Sequence, residues 1–157
     1  MVERLTGQFE VTLDEKGRIS LPANLRRVLG DEKLTLNPCN YDDMCLWLFP
    51  ANIYQEMLAE LSENTSILSK RDRALRRRLF NSQPVEIDKA GRIPIPQVYR
   101  DFAGLNKDCL VLGQGDYIEI WDKEEYNKYF SESKEDFISV SEEIGSKLKN
   151  SKSGVQQ

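Results

Sequence analysis

Asp14-Glu15-Lys16-Gly17-Arg18-Ile19-Ser20-Leu21-Pro22 decides the fold, because it occurs twice. Asp88-Lys89-Ala90-Gly91-Arg92-Ile93-Pro94-Ile95-Pro96 repeats it, with Asp, Gly, Arg, Ile and the final Pro in register. The spacing of 74 residues from Asp14 to Asp88 persists outside the motif. Val11 and Leu13 precede the first copy as Val85 and Ile87 precede the second, and Leu25-Arg26 follows the first as Tyr99-Arg100 follows the second. Agreement of this length without a gap marks two copies of one small structural unit.

Each unit can be read from its chemistry. Phe9, Val11 and Leu13 alternate with polar residues, the period-two pattern of a half-buried strand. Asp14-Glu15-Lys16-Gly17 is a turn: the Asp carboxylate can accept bonds from backbone amides ahead of it, and Gly17 tolerates positive φ. Arg18-Ile19-Ser20-Leu21 resumes alternation with Ile19 and Leu21 inward. Pro22 suits the first turn of a helix, Leu25, Val28 and Leu29 form its buried stripe, and Gly30 ends it. Leu34 and Leu36 begin a further strand, Asn37 to Asp43 reads as a loop, and Cys45 to Phe49 as an apolar strand. A helix follows, from Pro50 to about Leu61, carrying Ile53, Met57, Leu58 and Leu61. The second copy echoes this with small gaps, through Leu110-Val111-Leu112 and Tyr117 to Trp121, then a helix from about Asp122 to Phe130.

This divides the chain into a first unit over 5–50, a helical connection over 51–82, a second unit over 83–130 and a C-terminal extension over 131–157. The connection concentrates six cations and one anion between Lys70 and Arg78. Leu68, Leu75 and Leu79 fall on one face there, predicting an amphipathic helix. The extension drifts to Ser, Glu, Lys and Gln. Phe137, Ile138, Val140, Ile144 and Leu148 can support one helix, and 150–157 reads as a loose, disordered end.

Composition bounds the function. The 157 residues are 39% hydrophobic and 31% charged with a net charge of −4, which suits a soluble globular protein. No apolar run approaches the roughly 20 residues of a membrane span, and Met1-Val2-Glu3-Arg4 does not open a signal peptide. The three cysteines, Cys39, Cys45 and Cys109, lack C-x-x-C spacing. They read as small core residues of a cytoplasmic protein rather than disulfide or zinc partners. The chain has no histidine, which removes Ser-His and Cys-His nucleophile pairs and His-ligated zinc. No enzyme activity, metal or cofactor is expected.

The residues Leu13-Asp14-Glu15-Lys16-Gly17-Arg18-Ile19 with Pro22-Ala23-x-Leu25-Arg26, and their echo from Asp88 to Pro96, resemble the MraZ family. The family's D-x-x-x-R motif is present twice, as Asp14/Arg18 and Asp88/Arg92. Val111-Leu112-Gly113-x-Gly115, Glu119-Ile120-Trp121-Asp122 and the stretch Arg77 to Phe80 are similar too. The resemblance covers about residues 5–130, and the chain beyond Glu132 is read as longer than the family needs. It implies an α+β fold in which two tandem AbrB-like swapped-hairpin units form one pseudo-twofold β-barrel with flanking helices. It further implies a bacterial transcriptional regulator, cytoplasmic and nucleoid-associated. Such a protein assembles into a ring, often an octamer, and binds direct repeats in double-stranded DNA upstream of a division and cell-wall gene cluster.

For the motif itself two readings stand. As bare residues, Asp14–Arg18 and Asp88–Arg92 are intra-loop ion pairs that hold the turn. With the resemblance, Arg18 and Arg92 contact DNA while Asp14, Gly17, Asp88 and Gly91 shape the loops. A guanidinium projecting past a tight turn can grip phosphate or read guanine. Lys16, Lys89, Arg26 and Arg100 widen the basic face. The Arg71–Arg78 cluster reads either as a solvated helix face, or one paired with acidic residues of a neighbouring subunit, or as a second nucleic-acid surface. Ile53, Met57, Leu58, Leu75, Leu79 and Phe80 exceed what one small sheet needs, which predicts head-to-tail packing of subunits. The competing function is an antitoxin-like module that captures a protein partner through its tail.

Overall fold

The computed structural model describes residues 3–39 and 41–155. The first copy runs β1 (Gln8–Thr12), β2 (Arg18–Ser20), α1 (Ala23–Leu29), β3 (Leu34–Pro38), β4 (Cys45–Pro50) and α2 (Ala51–Glu63). α3 (Lys70–Leu79) connects it to the second copy. That copy runs β5 (Gln83–Val85), β6 (Arg92–Pro94), α4 (Gln97–Ala103), β7 (Asp108–Gly113), β8 (Ile118–Asp122) and α5 (Lys123–Glu132), and α6 (Lys134–Val155) follows. The expected order of elements in each repeat is present.

The repeats do not fold side by side; they exchange strands. A six-stranded antiparallel sheet has the order β1-β7-β8-β4-β3-β5, and β2 pairs with β6 in a second, two-stranded sheet. The first strand of each copy therefore pairs with the third strand of the other: Phe9 faces Val111, and Leu34 faces Val85. At the centre of the two-stranded ribbon Ile19 faces Ile93, the same position in both copies. The expected barrel differs from these pairings, which form no closed sheet among the described residues. The tight turn after β1, and its counterpart after β5, carries the chain off the large sheet, and the three-residue strands β2 and β6 pair only with each other.

One core unites both copies. Ile19, Leu21, Ile93 and Ile95 come from the ribbon and its ends, Leu46, Leu48, Ile118 and Ile120 from the sheet, and Leu25, Leu29, Tyr99 and Ala103 from α1 and α4. Because strand side chains alternate, Asn37, Trp47 and Phe49 point to the opposite face of the sheet. There α2 and the C-terminal end of α3 meet it: the Tyr54 ring lies 5.8 Å from Phe49, and its hydroxyl donates to the Leu79 carbonyl at 3.2 Å. The Asn37 amide donates to the carbonyls of Leu79 and Asn81, at 3.3 and 2.8 Å. The ribbon and the α2–α3 pair thus occupy opposite sides of the six-stranded sheet.

Several local expectations are corrected. Asn37 and Pro38 belong to β3 rather than to a loop, because they complete its ladder with Trp47 and Leu46. On α2 the residue buried is Tyr54, whereas Ile53, Met57, Leu58 and Leu61 are only half-buried. Leu68 lies outside α3 and is 88% exposed. The reason is the start signal one residue later: the Ser69 hydroxyl accepts the Asp72 amide at 3.2 Å and caps the helix there. All three cysteines are buried and free, as their reading as core residues required.

The chain divides after Glu125 into two compact units, so the boundary falls within α5 and not between the repeats. The second unit contains α6, which is helical to Val155 where a loose end was expected. Glu135 and Asp136 in its first turn favour the helix N-terminus, and Lys147 pairs with Glu143 one turn earlier at 3.4 Å. Ser, Lys and Asn compose a solvated helix as readily as a solvated coil, so composition alone could not separate the two. Gln156 and Gln157 lie outside the described residues, as do Met1, Val2 and Asn40. Among the described residues no helix is long and apolar enough to cross a membrane.

The shared centre sets the first test. Ile19→Ala or Ile93→Ala is expected to cost about 2–5 kcal/mol in urea unfolding, as large-to-small changes in closed cores do. Since the two side chains adjoin, the double variant should depart from additivity. Separate transitions for the two repeats would contradict the single core.

Candidate nucleic-acid interface

Each turn is built around its aspartate. Asp14 Oδ1 accepts the amides of Lys16 and Arg18, both at 2.9 Å, while Oδ2 accepts Arg18 Nε at 2.9 Å. The main chain closes the same loop: the Asp14 amide donates to the Arg18 carbonyl at 2.9 Å and the Gly17 amide to the Asp14 carbonyl at 3.0 Å. The second copy reproduces this. Asp88 Oδ1 accepts the amides of Ala90 and Arg92 at 2.9 Å each, and Oδ2 accepts Arg92 Nε at 3.0 Å. The turn also requires φ of +77° at Gly17 and +81° at Gly91, which side chains rarely adopt.

The intra-loop ion pair is therefore real, and it consumes only one nitrogen of each guanidinium. Among the described residues the Nη groups of Arg18 and Arg92 make no hydrogen bond, and the two side chains keep 26% and 34% of their surface open. Asp anchors the arginine at Nε and leaves its fork available. The carboxyls of Asp14 and Asp88 are held below the usual carboxylate range, chiefly by the amide of the paired arginine and then by its guanidinium.

The two turns are locked to each other across the pseudo-twofold. The Leu21 amide donates to the Gly91 carbonyl at 2.9 Å, and the Ile95 amide to the Gly17 carbonyl at 2.8 Å. Arg26 of α1 donates Nε to the Leu21 carbonyl at 3.0 Å and lays its guanidinium on the other copy's turn. A β-carbon at Gly91 would lie 2.8 Å from its Cζ and Nη1. Reciprocally, a β-carbon at Gly17 would collide with Nη1 of Arg100, whose Nη2 donates to Gln97 Oε1. The glycines thus answer two demands, positive φ and space for an arginine of the opposite repeat. Only the first was visible in sequence.

The ribbon presents one outward face. Arg18 stands opposite Pro94 and Ser20 opposite Arg92, so these four residues share the side away from buried Ile19 and Ile93. Arg18 and Arg92 are diagonal neighbours, with backbones about 7–8 Å apart by ladder geometry. Lys16 and Lys89 are exposed at the turn tips. Ser20 and Pro94 were not singled out from sequence, although the alternation that points Ile19 inward places them beside the arginines. The expected residues are brought together here, Arg26 and Arg100 as buttresses between the turns.

The Arg71–Arg78 cluster is elsewhere, on α3 beyond the six-stranded sheet. Arg73 donates to the Ile67 carbonyl at 2.9 Å and Arg76 to Thr65 Oγ1 at 2.7 Å, and the Arg76 guanidinium stacks 5.0 Å from the Phe80 ring centre. Leu79 of the expected apolar surface is buried within the chain, while Leu75 and Phe80 are 37% and 40% exposed.

The turn chemistry yields a pH-dependent test. A depressed carboxyl pKa contributes stability above the unfolded-state value, lost as pH falls through the folded-state value. Asp14→Asn keeps an oxygen for the two amides and removes the charge. It should lower the melting temperature at neutral pH, and the gap from the parent should close under acid below the usual carboxylate range. A gap independent of pH would mean that the charge contributes nothing to the turn.

Comparison with known proteins accords with this geometry. The family described as "MraZ protein, putative antitoxin-like" matches residues 5–78 and again 79–145, one match for each repeat. The second match runs to residue 145, well into α6, so the family's length extends past Glu132 to that point. A protein of Treponema denticola named transcriptional regulator MraZ is 42% identical over 142 residues, covering 90% of this chain and 97% of the relative. Its namesake in Treponema pallidum is 41% identical over 140 residues, covering 88% and 93%. Another from Natranaerobius thermophilus is 34% identical over 143 residues, covering 88% and 94%.

Proposed function

The chain belongs to the MraZ family, and from that membership we propose that it is a sequence-specific, DNA-binding transcriptional regulator whose reading element is the β2–β6 ribbon. One observation carries the proposal: two arginines, each anchored at Nε and open at Nη, stand diagonally on the outward face of a two-stranded ribbon. The major groove of B-DNA, about 12 Å wide, admits such a ribbon, and a guanidinium fork matches guanine O6 and N7 or a phosphate. Anchoring by Asp14 and Asp88 restrains the side chains before binding, which reduces the entropy lost on contact. Lys16 and Lys89 reach for phosphates at the ribbon's two ends. Arg26 and Arg100 add positive potential while holding the turns. The overall charge of −4 is no obstacle, since the local field at the contact decides binding.

In this reading the ribbon and the large sheet are the two sides of a pseudo-twofold, swapped-hairpin barrel. Several chains assemble head-to-tail into a ring, and their ribbons address successive promoter repeats in the nucleoid, upstream of a division and cell-wall gene cluster. A second reading draws on the family's antitoxin-like description and on the second unit, where Phe137 and Leu148 are 71% and 58% exposed along α6. There a small protein partner would co-purify with the chain.

Gel shifts on the DNA upstream of the chain's own gene test the first reading. Arg18→Ala and Arg92→Ala should each weaken binding by tenfold or more, about 1.4 kcal/mol. Stability should change little, because partly exposed ion pairs contribute about 1 kcal/mol or less. For every phosphate contact removed, the slope of log K against log salt should flatten by about 0.9. Unchanged affinity and slope in both variants would remove the ribbon from the interface.

A further inference from the structure

Cys39 and Cys45 are set against each other at the open end of the β3–β4 ladder. Pro38 faces Leu46 in that register, and one step further the Cys39 amide donates to the Cys45 carbonyl at 2.9 Å. Facing residues joined by such a bond have α-carbons about 5.5 Å apart, within the roughly 4.4–6.8 Å that a disulfide spans. By strand alternation both side chains leave the sheet on the face of Asn37 and Trp47, away from the ribbon. Both residues are fully buried, neither is in a disulfide, and the Cys45 thiol donates a hydrogen bond to the Cys39 sulfur.

The two thiols are not equivalent. The hydrogen bond from Cys45, and then one from the Tyr41 amide, hold the Cys39 thiol below its ordinary value against burial and the carboxylates of Asp43 and Glu119. The Cys45 thiol, as the donor in that bond and as a buried group, is pushed up. One sulfur is thus prepared to be a thiolate, the reactive form, and the other to remain a thiol beside it. Cys109 is the internal contrast. It lies in the main core on the opposite face of the sheet, its thiol donates to the Asn106 carbonyl at 3.2 Å, and burial, with Asp122 and Asp108, pushes it up to about 12.

We propose that Cys39 and Cys45 are a dithiol site that a small hydroperoxide converts to a disulfide. The Cys39 thiolate attacks one peroxide oxygen and the O–O bond breaks. The departing oxygen takes a proton and leaves as water, or as an alcohol from an alkyl hydroperoxide, and Cys39 becomes a sulfenic acid. The Cys45 sulfur then displaces the hydroxyl from Cys39, which leaves as water with the Cys45 proton, and the S–S bond forms. The two thiols give up two electrons and two protons, and the peroxide accepts them. Burial selects this co-reactant, because a molecule barely larger than water reaches sulfurs that a protein disulfide cannot. Five residues separate the cysteines, so the bond closes within one chain and staples the β3–β4 hairpin. The site is independent of DNA binding by the ribbon.

The test treats the full, folded and reduced chain with hydrogen peroxide at neutral pH. Catalase stops the reaction, and the thiols that remain are alkylated after unfolding. Mass spectrometry should then find Cys109 alkylated and a peptide pair joined through Cys39 and Cys45. Dithiothreitol added before alkylation should return all three thiols. In Cys45→Ala, Cys39 should hold the sulfenic acid and be trapped by dimedone, whereas in Cys39→Ala dimedone should leave Cys45 unlabelled. Cys109→Ala should form the bond as fast as the parent. Three alkylated thiols in the treated parent overturn the proposal, and this readout needs no variant to fold. A disulfide that includes Cys109, or one that joins two chains, overturns it as well. Dimedone on Cys45 in place of Cys39 overturns the assignment of the nucleophile. Failure of the ribbon to bind DNA leaves every one of these readouts unchanged.

Discussion

The pairing of Ile19 with Ile93 is the contact on which the molecule depends. Both residues are fully buried, both occupy the same place in their repeat, and each lies on a strand of only three residues. Neither strand could persist alone, since an isolated short hairpin is marginal in water. Joined, they form a ribbon that closes one side of the core, while β1 and β5 cross to the other copy and close the rest. A repeat of about fifty residues has too little interior to fold independently. Strand exchange resolves this by giving two repeats one interior.

The same constraint produces the outward face of the ribbon. Because Ile19 and Ile93 must point inward, period two sends Arg18, Ser20, Arg92 and Pro94 outward together. Because the ribbon is symmetric, the two Asp turns lie at its opposite ends. The Gly17 and Gly91 carbonyls then accept amides from the other copy, and Arg26 and Arg100 fill the space that the missing β-carbons leave. The turn that holds the fold together and the turn that displays arginine are one structure. The apparent choice between a structural and a functional aspartate dissolves: the carboxylate binds two amides and Nε, and the fork remains outside.

The six-stranded sheet separates two kinds of surface. On one side lie the ribbon and its arginines; on the other lie α2 and the C-terminal end of α3.

The repeat, the strand–turn–strand–helix order, the inward Ile and Leu positions, the burial of the cysteines and the identity of the loop residues were all legible in the sequence. These follow from local chemistry: alternation, turn propensity and the positions of Gly and Pro are written residue by residue. It misplaced the start of α3 by counting Leu68 with its apolar face, passed over Tyr54, and read the end of α6 as coil. A cap decided the first and a packing partner the second, while for α6 a polar composition suits a solvated helix as well as a coil. It took the tertiary structure to show that β1 pairs with β7 and β5 with β3, and that Arg26 and Arg100 rest on the opposite repeat's glycines. Those outcomes depend on which distant strands meet, and a period-two pattern specifies the face a residue turns to the core without specifying the strand beside it.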